Sequence, residues 1–455
     1  MARLTAVLFV GAALLAPQQQ TPTFRAGTIL VPIDARAVDR GGNPVRDLRR
    51  QDFIVLENGV QQDVAHFSTH EYEGVSSRDS SAPLTEDAHP AALDAPSHRT
   101  FVFVLGRGRL RGPSEGMKAL TDFVRTGVRP ADRLAVVAYD RITHITSDRS
   151  AITRLLDLYA ARHEELEALF DHWFHGPLST YAGIDAPPHL QRRIDRLFDA
   201  PGLPPMRHLL SMPPEVRGQL EFDRRTALDA DADGTGDLVA FASAAQDLEK
   251  LHATIDYLRL LDGEKHVIFL TEEGLHGPRR AEYGQTLARL AADARVTVST
   301  IHTGGLPLTW RLPRGRDTQM WVEGPTWEQR SAYADSRYLA QRTGGLASVF
   351  SYAARALDRV ERSTRFTYLL GYYPKAATWD GRPRRIEVKV TRKDVTVLHR
   401  HEYYARRDPR PYDHRTLLTE ARISGARDYA ARYPTSPCGS RPSRSHRRPA
   451  NTAFR

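Results

Sequence analysis

Between residues 99 and 302, unbroken apolar runs alternate with stretches of helical periodicity. The apolar runs are FVFVL (101–105), LAVVAY (134–139), HVIFLT (266–271) and VTVSTIH (296–302). None of them alternates polar with apolar residues, so each predicts a strand buried on both faces, and a helix between successive strands makes the sheet mostly parallel. The pattern predicts a doubly wound α/β domain over residues 99–352.

A long insertion interrupts this alternation at residues 160–236. It contains proline-bounded segments such as HGPLSTYAGIDAPPH and LPPMRHLLSMPPE. Because proline removes a backbone donor and ends helices, these segments predict short helices and loops rather than a further strand. We expect the insertion to contribute to a recognition surface.

Period-two β patterns flank the α/β region on both sides. Residues 28–75 carry short β-rich runs, and Asn58-Gly59 between IVLE and VQQDVAHF predicts a type I′ hairpin. Residues 353–405 return to β character in FTYLLGYYP, RRIEVKV and VTVLHRHEYY. We predict a small β-sandwich formed by these N- and C-terminal strands, with a linker rich in Ser, Pro, Ala and Asp at residues 76–98.

The first 20 residues have the layout of a secretory signal peptide. Arg3 precedes an apolar run, Leu4–Ala16, and the polar segment PQQQTP follows. The run is too short to span a bilayer, and no other run reaches about 18 apolar residues, so we expect a mature chain without a transmembrane segment. The prediction is an extracytoplasmic location, periplasmic or secreted; the alternative is a buried first helix or an uncleaved anchor, since Pro17 is poorly placed after a cleavage site.

The formal charge of +9 comes almost entirely from the C-terminal tail. Residues 406–455 contain twelve arginines and four acidic residues, a net charge of +8, so the remainder of the chain is nearly neutral. A tail with this composition predicts disorder. The alternative is a salt-sensitive contact with anionic surfaces, and we expect no specific nucleic-acid partner. The single cysteine, Cys438, also lies in this tail and cannot form an internal disulfide.

Four segments resemble the Acidobacteria-type von Willebrand factor A-related proteins. Residues 33–61 match the family pattern VxVxDxxGxPVxxLxxxDFxVxEdGxxQ, and the closing pattern is matched by LAQRTGG (339–345), YLLGYY (368–373) and RHEYYA (400–405). The resemblance extends from Thr28 to Ala405. It implies a Rossmann-like von Willebrand A domain and, as function, binding of a protein partner without catalysis.

The same resemblance implies a degenerate metal site. In A domains a divalent cation is held by an Asp-x-Ser-x-Ser loop after the first strand, a threonine from a second loop and a late aspartate, which together supply the oxygens that Mg²⁺ requires. Here the first loop reads Gly106-Arg107-Gly108-Arg109-Leu110, without an oxygen-bearing side chain, whereas the late loop keeps Thr271, Glu272 and Glu273. We therefore expect no bound cofactor and an interaction surface formed by Gly106, Arg107, Gly108, Arg109, Thr271, Glu272 and Glu273. One hypothesis is that Arg107 or Arg109 pairs with Glu272 or Glu273 in place of the ion.

An alternative interpretation assigns the first loop to anion binding. Gly106, Gly108 and Gly112 follow a strand and precede a predicted helix, as in dinucleotide phosphate loops, and the neighbouring arginines suit an anion. The acidic residue expected about 20 positions later is absent. The chain would then be a small-anion or nucleotide-binding protein, and an enzyme is one version of this alternative. The remaining interpretation is an arginine-rich strand-to-helix turn without a ligand.

A second metal candidate is an acidic run in the insertion. Asp229, Asp231 and Asp233 stand at alternate positions before Gly234, as at the start of a calcium loop, and Asp237 follows three residues later. The twelfth position is Ala240 instead of the bidentate glutamate, so the alternative is a solvated loop whose last aspartate caps the following helix. No nucleophile elbow, Walker loop or zinc-protease helix occurs in the sequence, and we expect the protein not to be an enzyme.

Overall fold

The structure, a computed structural model of the chain, describes residues 30–72, 98–106, 115–139, 141–175, 188–198, 238–259, 261–272, 274–275, 281–303, 309–310, 322–323, 327–349, 352–376 and 378–405. The predicted signal peptide, the linker up to residue 97, the basic tail and most of the insertion lie outside these ranges.

In chain order the strands are β1 (Val31–Val38), β2 (Phe53–Glu57), β3 (Val60–Gln62), β4 (Val64–Glu71), β5 (Arg99–Leu105), β6 (Arg133–Ala138), β7 (Arg141–Ile142), β8 (Glu264–Thr271), β9 (Val296–His302), β10 (Thr309–Trp310), β11 (Val322–Glu323), β12 (Ala347–Ser348), β13 (Phe366–Tyr372), β14 (Pro383–Val390), β15 (Thr396–Leu398) and β16 (Glu402–Tyr404). The helices are α1 (Gly116–Asp122), α2 (Arg149–His175), α3 (Pro188–Leu197), α4 (Leu238–Arg259), α5 (Ala281–Asp293), α6 (Trp327–Thr343) and α7 (Ala353–Ser363). A 3₁₀ turn at Arg50–Asp52 precedes β2, and a π-helical turn at Phe123–Gly127 extends α1.

The central sheet has six strands in the order β12-β9-β8-β5-β6-β7. Its neighbouring strands are parallel except for β6 and β7, which are antiparallel. Every residue of β5 and of β8 is buried, as the unbroken apolar runs predicted. The mixed α/β class with a parallel sheet is therefore confirmed.

Helices cover both faces of this sheet. Along β5, alternate side chains point to opposite faces, so Phe101 and Phe103 enter one core while Val102 and Val104 enter the other. The first core is completed by α1, α2, α3 and α7, and the second by α4, α5 and α6. Among the described residues, no helix is both long and apolar enough to cross a membrane.

Helices α2 and α7 do not follow the predicted segment boundaries. Helix α2 continues through residue 160, where the insertion was expected to begin, and α3 lies within the insertion and buries Leu190 and Ile194 in the first core. Helix α7 begins at residue 353, where the C-terminal β-rich part was expected to begin. Its apolar residues Ala353, Leu357 and Val360 have helical spacing and pack in the first core, so α7 packs with the α/β domain and the strands begin at Phe366.

Strands from the two ends of the chain form a pair of four-stranded antiparallel sheets. Their orders are β15-β1-β13-β4 and β16-β14-β2-β3, and they enclose a common core that includes Ile33, Val55 and Tyr372. The β2–β3 hairpin turns at Asn58 and Gly59, with φ of 48° and 83° and with Glu57 paired to Val60, which confirms the predicted two-residue turn. We call these two sheets the sandwich.

Buried arginines connect the sandwich to the α/β domain. Arg36 on β1 donates to the carbonyl of Gly344 after α6 at 2.7 Å. Arg400 donates to the carbonyl of Ala292 in α5 at 3.0 Å and to that of Pro32 in β1 at 2.8 Å. Each guanidinium spans the interface with donors in a fixed planar array, and this fixes the relative position of the two units.

Helix α4 carries a buried histidine that makes stability depend on pH. His252 is 1% exposed, and neither ring nitrogen has a hydrogen-bond partner in the described part of the chain. Burial lowers the pKa of His252 from 6.5 to about 4. Between these pH values the unfolded chain binds a proton that the folded chain does not, so the unfolding free energy falls as the pH falls from about 6.5 to about 4.

We expect His252→Leu to reduce this acid sensitivity. The shift corresponds to a contribution on the order of 3 kcal/mol between neutral pH and pH 4. Urea unfolding of the wild-type and variant chains at pH 7.5, 5.5 and 4.5 measures it, and the two curves of unfolding free energy against pH should diverge towards acid. Parallel curves would show that this ring does not titrate in that range.

Candidate functional site

The candidate site lies at the carboxyl ends of β5 and β8. From β5 the chain continues to β6 on one side of β5, whereas β8 and β9 lie on its other side. The strand order therefore reverses between β5 and β8. In open α/β sheets, ligands bind in the crevice outside the carboxyl ends of the strands at such a reversal. Three of the predicted site residues lie within the described ranges: Gly106, Thr271 and Glu272.

Gly106 extends the pairing of β5 with β8 by one residue. Its N–H donates to the carbonyl of Leu270 at 2.8 Å. A Cβ at this position would lie 2.9 Å from that carbonyl oxygen and 3.0 Å from Oδ2 of Asp247. The space into which a side chain of residue 106 would project is therefore bounded by the carboxylate of Asp247, which belongs to α4.

Asp247 forms a buried ion pair with Lys250 beside Gly106. The Lys250 Nζ atom lies 2.6 Å from Oδ1 of Asp247 and donates to the carbonyl of Leu105, the last residue of β5, at 2.7 Å. The side chains of Lys250 and Asp247 are 3% and 8% exposed. A charge buried to this extent is stable only if it is paired and hydrogen-bonded, and both conditions are met. The ion pair places an ammonium cation at the carboxyl end of β5.

Thr271 uses its hydroxyl group within its own turn. Its Oγ1 atom accepts a hydrogen bond from the N–H of Gly274 at 2.8 Å and donates to the Gly274 carbonyl at 3.1 Å. The Thr271 carbonyl accepts from the N–H of Thr303 at 2.7 Å. The side chain is buried and closes the turn after β8. Glu272, the next residue, is only partly buried.

The carboxyl end of β6 is also held by internal contacts. The hydroxyl of Tyr139, a residue with a φ of 55°, is hydrogen-bonded to Nδ1 of His163 on α2 at 2.8 Å. The buried guanidinium of Arg141 binds Asp195 of α3, with Nη2 and Oδ1 3.0 Å apart. These contacts fix α2 and α3, and with them the described part of the insertion, against this edge of the site.

The other predicted site residues lie outside the described ranges. They are Arg107, Gly108, Arg109 and Glu273, together with the calcium candidates Asp229, Asp231, Asp233 and Asp237. The hypothetical salt bridge between the two loops therefore also lies outside them. Within the described residues, no group of three or more His, Cys, Asp and Glu side chains is arranged to hold a metal ion.

Asp247 and Lys250 were not predicted from the sequence. The available signal was the segment DLEKL (247–251), which places an acid and a base three residues apart on the same face of a helix as Leu251 and Ile255. Charges at this spacing are usually solvated, so only the packing of α4 against β5 shows that they are buried.

Comparisons with known proteins give no family for this chain. No protein-family model matches it, and no curated protein matches its sequence. One similar solved structure is an aerotolerance-related membrane protein from Bacteroides fragilis, at 9% identity and a TM-score of 0.29, covering 58% of this chain and 97% of that one. Another is the human COPII-coat protein Sec24c, at 10% identity and a TM-score of 0.24, covering 70% of this chain and 44% of that one. Scores this low assign no fold, so the fold class of this chain rests on its own strand order and packing.

Proposed function

We propose that the chain is an exported, non-enzymatic protein-interaction module whose α/β unit is a von Willebrand A-like domain without the usual metal site. Numbered within the central sheet, the strands follow the order 3-2-1-4-5-6, which is the order of doubly wound, Rossmann-like folds. The short antiparallel strand β7 at one edge is compatible with such a sheet. Export is supported by the apolar run Leu4–Ala16 behind Arg3.

The observation that carries the proposal is the buried Lys250 ammonium at the carboxyl end of β5. This ammonium neutralises the Asp247 carboxylate, so the ion pair offers no net negative charge to a second cation beside it. Asp247, the carboxylate nearest to Gly106, is already paired with the ammonium. Binding by this end of the domain is therefore proposed to be independent of divalent cations.

The same contacts favour recognition over catalysis. The charged groups of Lys250 and Arg141 are paired with Asp247 and Asp195 inside the domain. We assign the binding surface to the loops after β5 and β8 together with the insertion, because loops held by a rigid sheet are the usual place for recognition. The proposed surface comprises Gly106, Arg107, Gly108, Arg109, Thr271, Glu272 and Glu273.

Thermal unfolding of the full chain tests the cation independence. We expect the same midpoint in EDTA, in millimolar Mg²⁺ and in millimolar Ca²⁺, because a ligand at a hundred times its dissociation constant would add about 2.7 kcal/mol. A rise in Ca²⁺ that Asp231→Ala abolishes would transfer the function to the acidic run. Heat released on titration with phosphate, ATP or NADPH would favour the anion-binding alternative.

A photo-crosslinking amino acid tests the binding surface itself. Placed at residue 109, it should capture a discrete protein partner in the cell-envelope fraction, and the adduct should persist in EDTA. The matched control is Lys393, an exposed residue between β14 and β15 in the sandwich, where no adduct is expected. Equal capture at both positions, or recovery of the chain only from the cytosol, would contradict the proposal.

A further inference from the structure

Helices α2 and α3 line an open cavity of about 350 Å³ on the surface of the α/β domain. Its apolar lining consists of Leu158, Leu166 and Leu197. Leu166 and Leu197 are buried, but Leu158 is 47% exposed and reaches the cavity from α2. A volume of this size accommodates one or two side chains or a small ligand.

The charged residues of the cavity are mostly arginines. Arg162 on α2 and both Arg193 and Arg196 on α3 line it, against a single carboxylate, Glu165. Glu165 accepts a hydrogen bond from Arg193 and lies 3.7 Å from Nη1 of Arg162. Arg196 is exposed and has no ion pair among the described residues. Three guanidinium groups against one carboxylate leave a net charge of +2 around an apolar floor.

We propose that this arginine groove, formed by Leu158, Arg162, Glu165, Leu166, Arg193, Arg196 and Leu197, binds an acidic segment of a partner protein. An apolar side chain of the partner contacts Leu158, and neighbouring carboxylates bind the guanidinium groups of Arg162 and Arg196. Guanidinium matches carboxylate in planar, two-point hydrogen bonding, which makes arginine the suitable residue for this purpose. The inference rests on the proposed protein-binding function and gives that function a partner chemistry.

The shape and charge of the groove favour a peptide over a membrane surface. Leu158 is the large exposed hydrophobic residue that α2 and α3 present within the described part of the chain. A single leucine offers little area for insertion into lipid, whereas interfacial helices use a broad apolar face. The partner is therefore expected to enter the groove with one apolar side chain between acidic residues.

Fluorescence anisotropy of the full chain with a labelled octapeptide, Asp-Glu-Asp-Leu-Glu-Asp-Glu-Asp, tests the proposal. Arg196→Glu should weaken binding at least tenfold and Leu158→Ser severalfold. The matched control is Arg192→Glu, which makes the same charge change on an exposed residue of α3 outside the groove and should weaken binding less than threefold. The basic tail is the same in all variants. The difference in peptide affinity between Arg196→Glu and Arg192→Glu therefore reports binding in the groove.

Equal weakening by Arg192→Glu and Arg196→Glu would show unspecific attraction and overturn the proposal. So would absence of binding by the octapeptide, or binding of phosphatidylglycerol vesicles that Arg196→Glu abolishes while the peptide does not bind. If the peptide test fails but the crosslinked adduct at residue 109 persists, the arginine groove is refuted as a binding site and the proposed protein-binding function stands. If the adduct is absent as well, both the groove and the proposed function are refuted.

Discussion

Replacement of Lys250 by methionine is expected to lower the unfolding free energy by about 3–5 kcal/mol. Methionine preserves most of the volume of the lysine side chain but removes its charge. The buried Asp247 carboxylate then loses the ammonium that neutralises it, and the carbonyl of Leu105 loses the Lys250 donor. Urea unfolding of the full chain at neutral pH, followed by circular dichroism, measures the loss.

A double-mutant cycle separates the ion pair from the packing. Lys250→Met combined with Asp247→Ala removes both charges, so the double variant should be more stable than Lys250→Met alone. The matched control is Lys118→Met, which breaks an ion pair with Asp122 whose side chains are 71% and 50% exposed, and it should cost less than about 1 kcal/mol. If Lys250→Met cost no more than Lys118→Met, the buried pair and the cation at the carboxyl end of β5 would both be refuted.

The second large effect is expected for Gly345→Ala. A Cβ at Gly345 would lie 1.9 Å from the carbonyl oxygen of Val298 and 2.5 Å from its carbonyl carbon, both in the backbone of β9. Neither a rotamer change nor a small shift relieves a clash between backbone atoms of two packed elements. The loss of unfolding free energy should exceed the roughly 1–3 kcal/mol that overpacking usually costs, and soluble yield together with the melting temperature reports it.

Gly59→Ala is the matched control for this substitution. Gly59 has a φ of 83°, and nothing lies within 4 Å of an added Cβ, so alanine there meets only the unfavourable left-handed conformation. That strain costs about 1–2 kcal/mol, and the protein should remain folded. Melting temperatures that fall equally in both variants would show that the close approach of Gly345 to β9 is absent.

The parts of the fold that were predictable depend on local patterns. The apolar runs predicted buried parallel strands, and Asn58-Gly59 predicted a tight hairpin, because each signal lies within a few residues of the structure it produces. Helix α7 was missed although Ala353, Leu357 and Val360 have helical spacing. Because β patterns follow α7, the sequence assigns all of residues 353–405 to the β-rich part. Only the packing of α7 against the central sheet separates this helix from the strands that follow it.

The candidate site was less predictable because its contacts join distant segments. Gly106 and Thr271 lie at the carboxyl ends of the neighbouring strands β5 and β8, but the sequence did not show that the Thr271 hydroxyl closes its own turn. The burial of the Asp247–Lys250 ion pair depends on where α4 crosses the end of β5. Leu105, at that end of the strand, precedes Lys250 by 145 residues in the chain. Such a placement results from tertiary packing and has no counterpart in local spacing.

The pairing of β4 with β13 has a mechanical consequence. Glu71, the last residue of β4, pairs with Phe366, the first residue of β13, so the chain leaves the sandwich and re-enters it at adjacent points. Tension applied between residue 31 and residue 405 would first load the hydrogen bonds that join β1, β2 and β4 to β13 and β14. The parallel sheet lies between residues 71 and 366 of the chain, and it would bear that tension only after these strand pairs have separated.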